Sequence, residues 1–117
     1  MPSPAETKPL DEGEFVWVEF GPVVGREQSG RRPALVLTNR DYHRISSLAL
    51  VCPITSSTGP WPFKVLLPDG LTVRGAVLVD QIRSVDRASR IFKRLGSAPP
   101  DVMAAVRAKL AATLNLI

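Results

Sequence analysis

Apolar residues fall in short runs cut by glycine, proline and polar clusters over most of the chain, and they change period near the C-terminus. Phe15-Val16-Trp17-Val18-Glu19-Phe20 is the first run, built from β-formers and stopped by Gly21-Pro22. Alternation sets Phe15, Trp17 and Glu19 on one face and Val16, Val18 and Phe20 on the other. Neither face is cleanly polar, so both are expected to be partly covered. A second strand is predicted over Pro33 to Thr38, with Pro33 at the start, where its missing N–H is tolerated. Asn39 to Ser47 reads as a polar loop. Leu48 to Ile54 is nearly continuous in apolar residues and reads as an interior strand, with Pro53 suggesting an edge or bulge near its end.

Phe63 to Leu67 reads as a fourth strand, and Pro68-Asp69-Gly70 as a turn. Leu71 to Val79 continues as strand, with a break expected at Gly75, and Ile82 to Val85 reads as a short further one. Val102, Val106 and Leu110 then recur at helical spacing, with Met103, Leu114 and Ile117 extending the stripe. Pro99-Pro100 suit a first helical turn, and Ser97 is a candidate cap. The pattern predicts a mainly β domain: five or six short strands in a small, strongly bent sheet or barrel, with one C-terminal helix packed against it.

At 117 residues the chain is sized for a single domain. Residues 1–12, with Pro2, Pro4 and Pro9 among polar residues, read as a flexible leader, leaving 13–117 as the domain. So thin a core favours dimerisation. One cysteine excludes an intramolecular disulfide framework, and one histidine beside it excludes the usual Cys/His zinc sites within one chain. No apolar run is long enough to span a bilayer, and no secretory h-region opens the chain, so a cytoplasmic protein is expected.

Charge sharpens the picture. The net charge of +4 is uneven: residues 1–19 hold five acids and one base, so the rest carries a surplus of +8. Arginine outnumbers lysine 11 to 4, and its planar fork of donors suits phosphate. Arg26, Arg31 and Arg32 form one cluster, and Arg83, Arg87, Arg90, Lys93 and Arg94 another. Such patches attract polyanions, although a charged face also serves solubility.

Most chemical motifs are missing: there is no phosphate loop, no dinucleotide fingerprint and no zinc-protease helix. The densest polar segment is Gly25-Arg26-Glu27-Gln28-Ser29-Gly30-Arg31-Arg32-Pro33. Phosphodiester chemistry needs donors on the non-bridging oxygens, a proton acceptor and a proton donor. Arg32 stands at a strand entry, where the sheet can fix it; the alternative is a basic hairpin loop in solvent. Four hydroxyls, Thr55, Ser56, Ser57 and Thr58, follow the third strand, and Thr55 is the most strand-proximal. A threonine hydroxyl donates well to phosphate, although an ordinary hydroxyl-rich turn looks the same.

Trp61 reads as a stacking platform for a base or as core. Asp80-Gln81, beside Arg83, reads as an acceptor and an amide near a base edge, or as a capped strand end. His43 follows Tyr42 in a polar loop and reads as an RNA contact or a surface histidine. Cys52, within an apolar strand, reads as a buried small hydrophobe.

Gly13-Glu14-Phe15-Val16-Trp17-Val18, the Gly25 to Leu37 segment, Val51-Cys52-Pro53-Ile54-Thr55, Pro62-Phe63-Lys64-Val65 and Val79-Asp80-Gln81-Ile82-Arg83-Ser84 follow one another in the order and spacing of a known family. Together they resemble the MazF/PemK-type toxins of bacterial toxin–antitoxin pairs, over about residues 13–117. The resemblance implies a small SH3-like barrel with a C-terminal helix, shared with the CcdB-type gyrase poisons. It implies a homodimeric, sequence-selective, metal-independent endoribonuclease, without cofactor, that cuts single-stranded RNA through its 2′-hydroxyl. The products would carry a 2′,3′-cyclic phosphate and a 5′-hydroxyl, and a cognate antitoxin would cover the groove.

Arg32 and Thr55 match the family's catalytic arginine and threonine, Glu27 its glutamate, and Gln28 a position near the site. Arg31, Ser56, Ser57, Trp61, Asp80, Gln81 and Arg83 are the expected substrate contacts. One departure stands out: many members place a tryptophan shortly after the serine that matches Ser84, whereas this chain reads Val85-Asp86-Arg87-Ala88-Ser89-Arg90. A gyrase poison on the same fold, or a non-catalytic RNA-binding module, is the alternative.

Overall fold

The computed structural model describes residues 8–21 and 30–116. Among the described residues there are seven strands: β1 (Glu14–Glu19), β2 (Arg31–Val36), β3 (Leu48–Thr55), β4 (Lys64–Leu66), β5 (Ala76–Leu78), β6 (Arg83–Asp86) and β7 (Ile91–Ser97). Three helices join them: α1 (Arg40–Ile45), α2 (Arg87–Arg90) and α3 (Pro100–Leu114). The hydrogen-bonded order is β4-β5-β3-β2-β1-β7, with β6 also on β3. The end strands β4 and β7 do not pair, so the expected closed barrel gives way to an open sheet. β4 and β5, three residues each, are too short to carry the ladder round to β7, and α3 supplies the cover that closure would have given.

Both faces of the sheet are packed, as the first strand's lack of a polar face predicts. On one side Phe15, Leu35, Cys52, Ile54, Val77 and Val79 meet Val102, Met103 and Val106 of α3. On the other, Val16, Val18, Phe20, Ala34, Val36, Val51 and Val85 pack together with Leu10. The described part of the expected leader lies against the domain. Leu10 is buried, Asp11 accepts from the Arg40 backbone N–H at 3.0 Å, and Glu12 pairs with Arg107 of α3.

β3 is interior, as expected, but Pro53 is neither at an edge nor exposed. It pairs with Ala34 of β2. On its other side β3 is taken by β6 at Leu48 to Val51 and by β5 at Ile54 and Thr55. Pro53 sits in the handover between those two partners, where no ladder bond is required of its nitrogen. Of the strand expected over Leu71 to Val79 only Ala76–Leu78 forms; the residues before Gly75, where φ is +120°, are not strand.

The expected loop at 39–47 contains α1, capped by the Asn39 side chain, which accepts from the Tyr42 N–H at 2.9 Å. Within it His43 is buried, contrary to both readings of it from sequence. Its Nδ1 lies 2.8 Å from the Leu10 carbonyl oxygen and its Nε2 2.7 Å from the Thr38 hydroxyl. Ser97 is not the cap of α3; it ends β7, and Pro99 precedes the helix without a side-chain cap.

Candidate active site

Arg32 enters the sheet opposite Val18 of β1 and is half-buried. β2 and β3 pair antiparallel as Ala34 with Pro53, Leu35 with Cys52 and Val36 with Val51. Carried two residues further, this register sets Arg32 across from Thr55. Residues directly opposite in an antiparallel pair share a face. By alternation that face is the one holding Ala34, Val36 and Val51, away from α3. The guanidinium and the hydroxyl therefore rise from neighbouring strands on the side of the sheet the helix leaves uncovered.

Thr55 is buried at 6% exposure. Its hydroxyl oxygen accepts the Ser57 backbone N–H at 3.1 Å, which fixes the rotamer and leaves the O–H to donate elsewhere. Its backbone is held from the β5 side: a Cβ on Gly75 would stand 2.1 Å from the Thr55 carbonyl oxygen. Arg83, opposite Val51, belongs to the same face. Its guanidinium donates to the Phe20 carbonyl oxygen at 3.1 Å and lies 5.2 Å from the centre of the Phe20 ring. Asp80 is exposed and Gln81 half-buried in the turn just before β6.

Arg31 turns to the opposite face. It pairs with Glu19 at 3.2 Å and lies 5.1 Å from the ring centre of Phe92. The Gly21 backbone N–H, with Arg31 adding to it, holds the Glu19 carboxyl below the usual carboxylate range against the opposing effect of desolvation. Ser56 and Ser57 are exposed, and Trp61 is half-exposed further along the same loop. Glu27 and Gln28 lie outside the described residues. Phe20, whose ring seats Arg83, was missed from sequence; its place at the end of an apolar run gave no sign of it.

Cys52 is the other polar atom of β3, and it faces α3. Burial, with the Asp80 charge adding to it, pushes its thiol up to about 12, so it stays protonated. Among the described residues no cluster of three or more His, Cys, Asp or Glu is arranged to hold a metal ion, and no helix is long and apolar enough to cross a membrane.

Comparison with known proteins identifies the family. Residues 11–114 match the family model of the PemK-like, MazF-like toxins of type II toxin–antitoxin systems. The chain is 34% identical over 100 residues to the endoribonuclease toxin MazF of Escherichia coli K12, covering 86% of this chain and 89% of that protein. Among solved structures, MazF from Deinococcus radiodurans superposes with a TM-score of 0.85 at 47% identity, over 92% of this chain and 97% of that one. A MazE–MazF complex from the same organism gives 0.80 at 44% identity, with the same coverage of each chain. The chain thus belongs to the PemK-like, MazF-like toxin family of type II toxin–antitoxin systems.

Proposed function

We propose that this protein is an endoribonuclease that cuts single-stranded RNA at selected sequences, acts in the cytoplasm as a homodimer, and is neutralised by a cognate antitoxin. The observation that supports the reading is the β2–β3 register, which, carried two residues further, sets Arg32 across from Thr55 on the face of the sheet opposite α3. The E. coli relative is named an endoribonuclease toxin, and the Deinococcus relative is solved with MazE.

The nucleophile is the RNA's own 2′-hydroxyl, which explains why the site needs no protein nucleophile. The 2′-oxygen attacks phosphorus, the new O2′–P bond forms, and the P–O5′ bond breaks. The 2′-proton passes to Glu27 or to water, and the same carrier returns a proton to the departing O5′, so the step is proton-neutral overall. The products are a 2′,3′-cyclic phosphate and a 5′-hydroxyl. Arg32 acts as a planar fork of N–H donors. Its work is to donate to the non-bridging oxygens as negative charge builds on them. Thr55 donates its free O–H to the same phosphate.

The test is a long RNA incubated with the protein in EDTA, beside Arg32→Ala and Thr55→Ala, followed by mapping of the 5′ ends. Recurring short-sequence cuts with 5′-hydroxyl ends, lost in both variants, are expected. Cleavage that survives both substitutions, or that requires a divalent cation, overturns the reading.

A further inference from the structure

Two adjoining cavities lie along the 56–61 loop that follows Thr55. The first, about 510 Å³, is lined by Ser56, Thr58, Leu66, Asp69, Arg74 and Gly75 among others. The second, about 420 Å³, is lined by Thr58, Gly59, Pro60, Trp61, Pro62, Lys64 and Leu66. Thr58 and Leu66 are common to both, so they form one trough. It starts beside the catalytic strand end, because Gly75 touches the Thr55 carbonyl and Ser56 follows Thr55 in the chain.

The far end of the trough is preformed. Lys64 donates its ammonium to the Ser57 and Gly59 carbonyl oxygens, at 2.8 and 3.0 Å, and so ties the 56–61 loop to β4. Lys109 of α3 donates to the Pro62 carbonyl at 2.7 Å. The Trp61 ring leans on Phe63, with ring centres 5.6 Å apart, yet stays 50% exposed. A half-exposed indole between two prolines, on a pinned loop, loses little entropy when a flat group stacks on it. Arg74 is exposed and makes no hydrogen bond or ion pair among the described residues. Arg74 is the one arginine and Asp69 the one carboxylate in the lining, and both belong to the first cavity.

Resting on the ribonuclease reading above, we infer that this trough holds a nucleotide flanking the scissile phosphate, with its base stacked on Trp61 and a backbone phosphate on Arg74. Each part answers one feature of single-stranded RNA. The ring face accepts any base, and the cation takes the charge that accompanies it. Continuity with the Thr55 end, with a cation but no second carboxylate along the way, favours RNA over an acidic peptide as the occupant.

The test uses Thr55→Ala as the uncut background and a random twelve-nucleotide single-stranded RNA pool as probe. RNA should quench Trp61 fluorescence, and Trp61→Phe in that background should abolish the quench while keeping affinity within about twofold, since phenylalanine also stacks. Trp61→Ala should weaken binding about five- to hundredfold. Arg74→Gln should lower the slope of log affinity against log salt by about 0.7, the signature of one lost phosphate contact. Circular dichroism checks that each variant is folded.

An unchanged affinity in folded Trp61→Ala, or an unchanged salt slope in Arg74→Gln, overturns the proposal. So does a quench produced by polyglutamate but not by RNA. These failures stay separate from failure of the ribonuclease reading. RNA cut by the wild type with Trp61 silent sinks only the trough, and RNA that quenches Trp61 but is never cut sinks only the catalysis.

Discussion

Cys52 and Thr55 lie on the same strand, both buried, and face opposite sides of the sheet. Cys52 points into the core that α3 closes, and its thiol is held up to about 12. Thr55 points to the side α3 leaves uncovered, across from Arg32, with its hydroxyl oriented by the Ser57 N–H. The thiol is thereby kept protonated inside the core, whereas under the proposed function the Thr55 hydroxyl serves as a donor to the substrate phosphate. What differs is what packs on each face: α3 on the Cys52 side, and Leu10 with the β1, β2, β3 and β6 side chains on the other. Reactive potential in so small a domain is decided by strand parity as much as by residue type.

The largest expected effect breaks the face opposite α3 alone. Arg32→Ala should cut the cleavage rate by roughly 10²–10³, the usual loss on deleting one donor to a developing oxyanion. Single-turnover cleavage measures it, and an unchanged melting temperature would show that the fold is intact. Met103→Ala breaks the helix-covered face instead. It should destabilise by about 2–5 kcal/mol in denaturant titration, with per-molecule cleavage by the folded fraction preserved.

Gly75→Ala strikes where the two faces meet. The backbone conformation alone costs about 1–3 kcal/mol for a residue with a side chain. The new methyl also overlaps the Thr55 carbonyl oxygen, so stability and cleavage should fall together. Cys52 should resist alkylation by iodoacetamide at pH 8 until the protein unfolds, and Cys52→Ser should leave cleavage by the folded protein unchanged.

The smallest effect lies at the edge of the molecule. Hydrogen bonds from the Ser89 hydroxyl and then the Ser89 backbone N–H hold the Asp86 carboxyl below the usual range as it caps α2. Its folded value is depressed, so its contribution is present above its unfolded value of about 4 and is lost as pH falls through the folded one. Asp86→Ala should therefore be slightly less stable than wild type at pH 7, with the gap narrowing below about pH 4. Paired thermal melts across that range measure it.

Much of this was legible in the chain. Short apolar runs bounded by glycine, proline and polar clusters located β1 to β4, and helical spacing located α3, because these segments bury enough apolar surface to stand out from the loops between them. Arg32 and Thr55 were legible as a strand entry and a strand end flanked by polar loops. β7 was missed because Ile91-Phe92-Lys93-Arg94-Leu95 mixes charge with apolar residues on an edge strand. Its register against β1 also shifts twice, which spoils any clean alternation. α1 was missed because six residues rarely hold a helix without help, and the help comes from the distant Asp11 and Leu10. Barrel closure was expected from strand number and fold analogy, whereas β4 and β5 turned out at three residues each. The face shared by Arg32 and Thr55 needed the β2–β3 register, which no single segment carries.

The most direct test of the central claim is a double-mutant cycle on Arg32→Ala and Thr55→Ala, read by single-turnover cleavage of one mapped RNA site. If both side chains act on the same phosphate, the double variant should be little slower than Arg32→Ala alone, because groups that work as a unit are lost together. Fully additive losses in folded variants would mean that the two residues act independently, and the account of a single site across β2 and β3 would be wrong.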